Sequence, residues 1–141
     1  MIEERSAGAI IFDDRNGHQS FLLLHYPSGH WDFPKGSIEK DERPIDTVKR
    51  EVKEETGIAD IEIIEGFKRR IEYHYRRDHM PVHKEVVWLL ARTRTRNIVL
   101  SYEHEGYAWL SFKEALNKVT YKNSKNVLLS AIEFLDALKF A

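Results

Sequence analysis

Apolar positions along this chain fall into two rhythms. Residues 6–12 and 21–24 (Phe21-Leu22-Leu23-Leu24) are short, nearly continuous apolar runs of strand length. Between them lies Asp13-Asp14-Arg15-Asn16-Gly17, whose Asn-Gly step predicts a hairpin turn. A Gly/Pro-punctuated loop follows over residues 27–36, with Trp31 and Phe33 inside it. Pro44, suited to a first helical position, and Gly57, suited to a position just past a helix end, bracket a predicted helix over residues 44–56. A β-rich stretch begins at residues 61–64. Residues 67–75 and 82–91 read as paired strands around a turn containing Asp78 and Pro81, and residues 107–110 as a further short strand. Ser111 and Glu114 form a capping box, with Leu110 and Ala115 placed for a hydrophobic staple. Leu128, Ala131, Ile132, Leu135 and Leu138 recur at helical spacing and predict a core-facing stripe. Strands with helices at the middle and the end make the expected class mixed α/β (α+β).

Composition narrows the functions open to it. The length, 141 residues, suits one domain over residues 1–141. Charges of 22 basic and 23 acidic residues nearly cancel, so a broad footprint for nucleic acid or anionic membrane is not expected. With no cysteine, disulfides, thiolate zinc sites and a cysteine nucleophile are excluded. Residues 1–5 lack a signal-peptide pattern, and the longest strongly apolar stretch, residues 86–91, is far short of a bilayer span. A soluble, cytoplasmic protein, monomeric or weakly dimeric, is expected.

The predicted middle helix carries the chemistry. At about 100° per residue, Glu51, Glu54 and Glu55 share one arc while Ile45, Val48 and Val52 occupy the adjoining one. Such clustering costs roughly 3 kcal/mol per pair at about 6 Å and an effective dielectric of 20. A wet helix face beside Lys49, Arg50 and Lys53 is the plain account; a hard divalent cation that neutralises the cluster is the functional one. The wider spacing decides between them. Gly36, Glu42, Arg50, Glu51, Val52, Glu54, Glu55, Gly57 and Ile58 satisfy G-x5-E-x7-R-E-U-x-E-E-x-G-U (U aliphatic), a pattern with a chance probability on the order of 10⁻⁹ per start.

On these residues the chain resembles the Nudix hydrolases. The resemblance implies a mixed sheet sandwiched between helices and Mg²⁺-dependent hydrolysis (Mn²⁺ a possible substitute) of a nucleoside diphosphate linked to another group. It further implies Glu51, Glu54, Glu55 and the backbone carbonyl of Lys35 as metal ligands, Arg50 as the group that orients the glutamates, and Glu42 as a tie between loop and helix. Arg43, where a Ser, Thr or Asp cap is common, predicts a weak helix start.

Beyond the box, Phe21-Leu-Leu-Leu, His30-Trp31-Asp-Phe-Pro34-Lys35-Gly36, Ile63-Ile-Glu-Gly-Phe-Lys68, Lys84-Glu-Val-Val and Ser101-Tyr-Glu103-His104-Glu-Gly-Tyr107-Ala-Trp109-Leu110 are similar to asymmetric diadenosine tetraphosphate hydrolases. That similarity implies cleavage of diadenosine tetraphosphate, a dinucleoside polyphosphate, into ATP and AMP by attack of a metal-activated water. His30, Lys35 and Lys84 would contact the polyphosphate. Glu103 would add a carboxylate for metal or water, and Tyr73, Tyr107 and Tyr121 would stack adenine. Plainer accounts stay open for most of these: Tyr73 an ordinary strand residue, His30 and Lys84 surface groups, Glu103 a turn carboxylate rivalled by Glu105, Trp31 packing for its own loop. RNA 5′-pyrophosphohydrolase, nucleoside triphosphate or ADP-ribose hydrolysis, and a non-catalytic nucleotide-sensing module also remain open. Arg76-Arg77-Asp78-His79 form a more basic turn than in animal members, which leaves substrate length open. Arg92, Arg94 and Arg96 read as an exposed, aggregation-resistant strand edge.

Overall fold

The computed structural model describes residues 1–139, leaving aside the side chain of Asn16. Eight strands form one mixed sheet: β1 (Ile2–Asp13), β2 (Ser20–His25), β3 (Trp31–Asp32), β4 (Lys35–Ser37), β5 (Glu62–Ile63), β6 (Arg69–Arg77), β7 (Met80–Arg92) and β8 (Gly106–Leu110). Three helices complete the fold: α1 (Pro44–Thr56), α2 (Phe112–Lys118) and α3 (Lys122–Leu138). The main path runs β3-β2-β1-β7-β5, with β4 also on β1, β6 on β7 and β8 on β2. At its centre β1 and β7 lie parallel, Ile2 opposite Val82 through Phe12 opposite Arg92; all other pairings are antiparallel.

Residues 6–13 of β1 are all buried because helices cover both sheet faces, the condition under which strands lose their polar alternation. Period-two geometry then divides the apolar set. Ala7, Ala9, Ile11, Leu22, Val87 and Leu89 pack with Val48 and Val52 of α1. Ile10, Phe12, Phe21, Leu23, Trp88 and Leu90 pack with Ala115 of α2 and Val127, Leu128, Ala131 and Leu135 of α3. The expected sandwich of a mixed sheet between helices is what forms. Among the described residues no helix is long and apolar enough to cross a membrane.

Several local expectations change. The β1–β2 connection is six residues with a 3-10 turn at Arg15–Gly17, not a two-residue hairpin. The Asp13 carboxylate accepts the Arg15 N–H (3.0 Å) and its guanidinium (3.1 Å), and this local bonding competes with a tight turn. Pro81 lies within β7, beyond the reach of β1; the β6–β7 turn is Asp78-His79 alone, both at positive φ (50° and 69°) as a tight hairpin demands. Leu138 is exposed, so the α3 stripe ends at Leu135. The three arginines make no exposed strand edge: β7 stops at Arg92, which pairs with Asp14 and Glu62 (both 3.1 Å), while Arg96 reaches Asp13 (3.5 Å) and lies over the Trp109 ring. The start of α1 is not left loose, because Asp46 accepts the Arg43 N–H (3.0 Å) and grips its guanidinium (3.1 Å). The capping box at Ser111 and Glu114 forms as expected.

Candidate active site

Helix α1 presents Val48 and Val52 to the sheet and thereby turns its glutamate arc toward β4. Gly36 of β4 makes this approach possible, since a Cβ there would run into the Glu51 carboxylate. Gly57 ends the helix at φ 79°, a conformation glycine takes without strain. The last helical carbonyls are capped by an irregular segment arriving from the far side of the chain: the Val99 N–H donates to Thr56 O (2.9 Å) and the Ser101 N–H to Glu55 O (3.3 Å). This is how Glu103 and His104, some fifty positions away in sequence, come to α1.

Arg50 organises the cluster. Its Nε and Nη2 hold Glu42 in a two-point grip (2.8 and 2.9 Å), Nη1 donates to Glu51 (2.6 Å), and Nη2 also donates to Ser37 O (3.0 Å). Glu54 stands 3.5 Å from Nη1. Hydrogen bonds from Arg50 pull the Glu42 pKa down to about 2. Burial raises Glu51 against the opposing pull of Arg50.

Glu55 is the outlier. Its side chain is 7% exposed, and Oε1 faces the buried His104 Nε2 at 3.2 Å. Among the described residues, neither that nitrogen nor Glu55 Oε2 has a hydrogen-bond partner. Burial, then the charges of Glu51 and Glu103, push the Glu55 pKa up to about 9; the backbone of Lys35 works the other way. A buried carboxyl without a counter-charge neutralises itself by keeping its proton. Burial likewise lowers His104, which stays neutral beside it.

The donor set fits a hard divalent cation: carboxylate oxygens on one helix turn, one of them buried and unpartnered, beside the Lys35 backbone. Among the described residues no three such side chains converge into a ready cation cage. Arg50 holds Glu51 and Glu54, and Glu55 faces His104, an arrangement that keeps the mutually repelling acids apart.

On the α3 face, a cavity of about 560 Å³ is lined by residues that include His30, Asp32, Lys35, Tyr73, Tyr75 and Tyr121. Lys84, half-buried on β7, stands opposite Tyr73 in the strand register, its pKa lowered by burial and by Lys35. The Asp32 carboxylate, 1% exposed, sits 3.6 Å from Lys35 Nζ. Tyr26 joins the two halves. Half-buried, with its hydroxyl donating to Phe33 O (3.0 Å), it has a raised pKa, first from desolvation and then from Glu55, Asp32, Glu51 and Glu103. Its ring stacks on His30 (4.6 Å) and meets His104 edge-on (4.7 Å).

Of the residues singled out in the sequence, Arg50, Glu51, Glu54, Glu55 and Glu103 gather at the end of α1, and His30, Lys35, Tyr73 and Tyr121 gather at the cavity. Tyr107 does not join them: it is an exposed residue of β8 opposite Leu24, absent from the cavity lining. Trp31 packs its loop, stacked on His25 (4.5 Å) beneath Lys118. Tyr26, Asp32, Tyr75 and His104 were not foreseen. For Tyr75 a signal existed, since it follows Tyr73 at the spacing that shares a strand face. For Tyr26, Asp32 and His104 only tertiary burial sets them apart.

The NUDIX domain model matches residues 3–130. The mouse asymmetrical bis(5′-nucleosyl)-tetraphosphatase is 36% identical, over 93% of this chain and 95% of its own length. An RNA pyrophosphohydrolase of Bartonella henselae is 32% identical over 50% of this chain and 45% of its own. The Caenorhabditis elegans Ap4A hydrolase, solved as a binary complex, superposes with a TM-score of 0.83 at 28% identity, covering 95% of this chain and 98% of that one. With the box glutamates gathered on one helix and the family model running through nearly the whole sheet, the chain belongs to the Nudix family and is a Nudix hydrolase.

Proposed function

We propose that this hydrolase splits dinucleoside polyphosphates asymmetrically, diadenosine tetraphosphate and water giving ATP and AMP, with Mg²⁺ as its cation. One observation carries this reading: the end of α1, where buried Glu55 keeps an oxygen unpartnered among the described residues, adjoins a cavity that offers lysine ammonium groups and aromatic rings together. Glu51, Glu54 and Glu55, with Glu103 and the Lys35 carbonyl, would hold the cation. When bound, it would offset phosphoryl charge and lower the pKa of the attacking water.

The chain's own groups do the rest. Lys35 and Lys84 meet the polyphosphate, and the half-burial that lowers the Lys84 pKa is relieved by an anion. Tyr121 and Tyr73 offer faces for an adenine, a contact worth about 1–3 kcal/mol. His30, stacked on Tyr26 and tilted against Tyr121, lines the same wall. Arg50 keeps Glu51 and Glu54 from swinging away. A base-binding cavity to one side of the acid cluster would set where along the phosphate chain the cut falls. The cavity volume lies within the ~300–1,000 Å³ usual for small-molecule sites. The mouse and nematode relatives, matched along nearly their whole length, favour this substrate over RNA 5′ ends, since the RNA pyrophosphohydrolases align over 50% to 69% of the chain.

The test is a panel of dinucleoside polyphosphates, nucleoside triphosphates, ADP-ribose and 5′-triphosphorylated RNA, hydrolysed with Mg²⁺ in H₂¹⁸O. ATP plus AMP from diadenosine tetraphosphate, with ¹⁸O in one of them, is expected. Faster release of pyrophosphate from RNA overturns the substrate assignment, and full turnover in EDTA overturns the cation.

A further inference from the structure

We infer that His104 is a positioning residue: it aims the Glu55 carboxylate toward the cation. This rests on the reading of Glu51, Glu54 and Glu55 as the cation site. The His104 ring is 1% exposed and the Glu55 side chain 7%, and their facing atoms are 3.2 Å apart. Two polar groups this deeply buried are retained at a desolvation cost, and here each keeps an atom without a partner.

The ring is held on three sides. Its Nδ1 lies 3.0 Å from Ser101 Oγ, it meets the Tyr26 ring edge-on, and the His104 backbone N–H behind it donates to Ser101 O (3.2 Å). The segment that carries it is pinned to α1 through Glu55 O and Thr56 O, and to β2 by the Glu105 N–H on His25 O (2.8 Å). A Ser101 hydroxyl that donates to Nδ1 leaves the ring proton on Nε2, whose nitrogen stands 3.2 Å from Glu55 Oε1 without yet being aligned for a hydrogen bond. A small rotation of either side chain would close that N–H on Oε1 and leave Oε2 for a cation. A neutral N–H donor behind a ligating carboxylate fixes its rotamer without competing as a charge, the usual work of outer partners in metal sites. His104 touches neither cation nor substrate in this arrangement and acts through Glu55 alone.

The experiment measures Mn²⁺ uptake by the substrate-free full chain, using electron paramagnetic resonance, alongside steady-state kinetics and melting curves. His104→Phe keeps an aromatic ring against Tyr26 and removes the donor. It should weaken Mn²⁺ binding about 10-fold or more and lower kcat while KM for diadenosine tetraphosphate stays nearly unchanged. His104→Gln, whose amide N–H can stand near the Nε2 position, should restore most of the affinity. Ser101→Ala, which frees the tautomer but leaves the ring, should fall between, and it decides the matter if His104→Phe does not fold. A folded His104→Phe that binds Mn²⁺ like wild type, or His104→Gln no better than Phe, overturns the inference. Glu51→Gln separates the two ideas: if wild type takes up no Mn²⁺, or Glu51→Gln binds as well as wild type, the cation site itself is refuted and His104 loses its role with it.

Discussion

Replacing Glu55 by Gln should change how the cation-free protein responds to pH. In the folded chain the Glu55 pKa is about 9, raised chiefly by burial and by Glu51 and Glu103. In the unfolded chain it returns to roughly 4.3. Below that lower value both states carry the proton and nothing is lost. Between about 4.3 and 9 the unfolded state gives up a proton that the folded state keeps, so stability falls as pH rises, at most ~1.4 kcal/mol per unit. From pH 5 to 8 that amounts to an upper bound of roughly 4 kcal/mol, or on the order of 10 °C in Tm. Gln is neutral and nearly isosteric with the protonated acid, so the variant should lack this slope and be the more stable protein above pH 7 in EDTA. Urea unfolding of both proteins at half-unit intervals over this range gives the difference directly and cancels the histidines they share. Mn²⁺ should then stabilise wild type at high pH and do little for the variant, because binding displaces the proton. Parallel curves for the two proteins, or a variant less stable at every pH, would refute a protonated Glu55.

Gly36→Ala should push Glu51 off its place against β4 and lower cation affinity and kcat about 10-fold or more, read by Mn²⁺ titration, while residues far from β4 keep their amide shifts. Arg50→Lys replaces a planar fork by a point charge; Glu42 should then titrate above its present value of about 2, followed by carboxyl carbon shifts, and kcat should drop about 10-fold. An unmoved Glu42 midpoint would contradict the grip described. Tyr121→Ala should raise KM for diadenosine tetraphosphate about 5- to 100-fold with little change in kcat, as loss of one base-stacking face predicts. Leu128→Ala, in the fully buried centre of the α3 packing, should cost about 2–5 kcal/mol by urea unfolding and leave cation affinity unchanged.

What could be read directly from the residues was whatever depends on near neighbours in the chain. The box lies within twenty-three residues, and helix geometry alone puts Glu51, Glu54 and Glu55 on one arc; Pro44 and Gly57 mark its ends within a residue or two. The strand runs were legible because burial on one or both faces selects apolar side chains at period one or two. Turn details were less so, as Asp13 shows by drawing Arg15 into a 3-10 turn where Asn-Gly favoured a hairpin. Tyr107 and Leu138 fit local patterns yet are exposed, since a pattern does not say where the covering element stops.

Only the tertiary structure decided the electrostatics. Like any acid in the box, Glu55 reads in sequence as a solvated anion; packing α1 against the sheet and under residues 99–104 turns it into a proton-bearing group. Tyr26, Asp32 and His104 gained their places in the same way: His104 meets Tyr26 across nearly eighty positions of sequence, and Asp32 is buried beside Lys35. Covalent order sets which side chains can share a helix face or a strand face. Desolvation and the field of distant charges belong to the folded shape, because the free energy of a buried charge depends on everything around it in space.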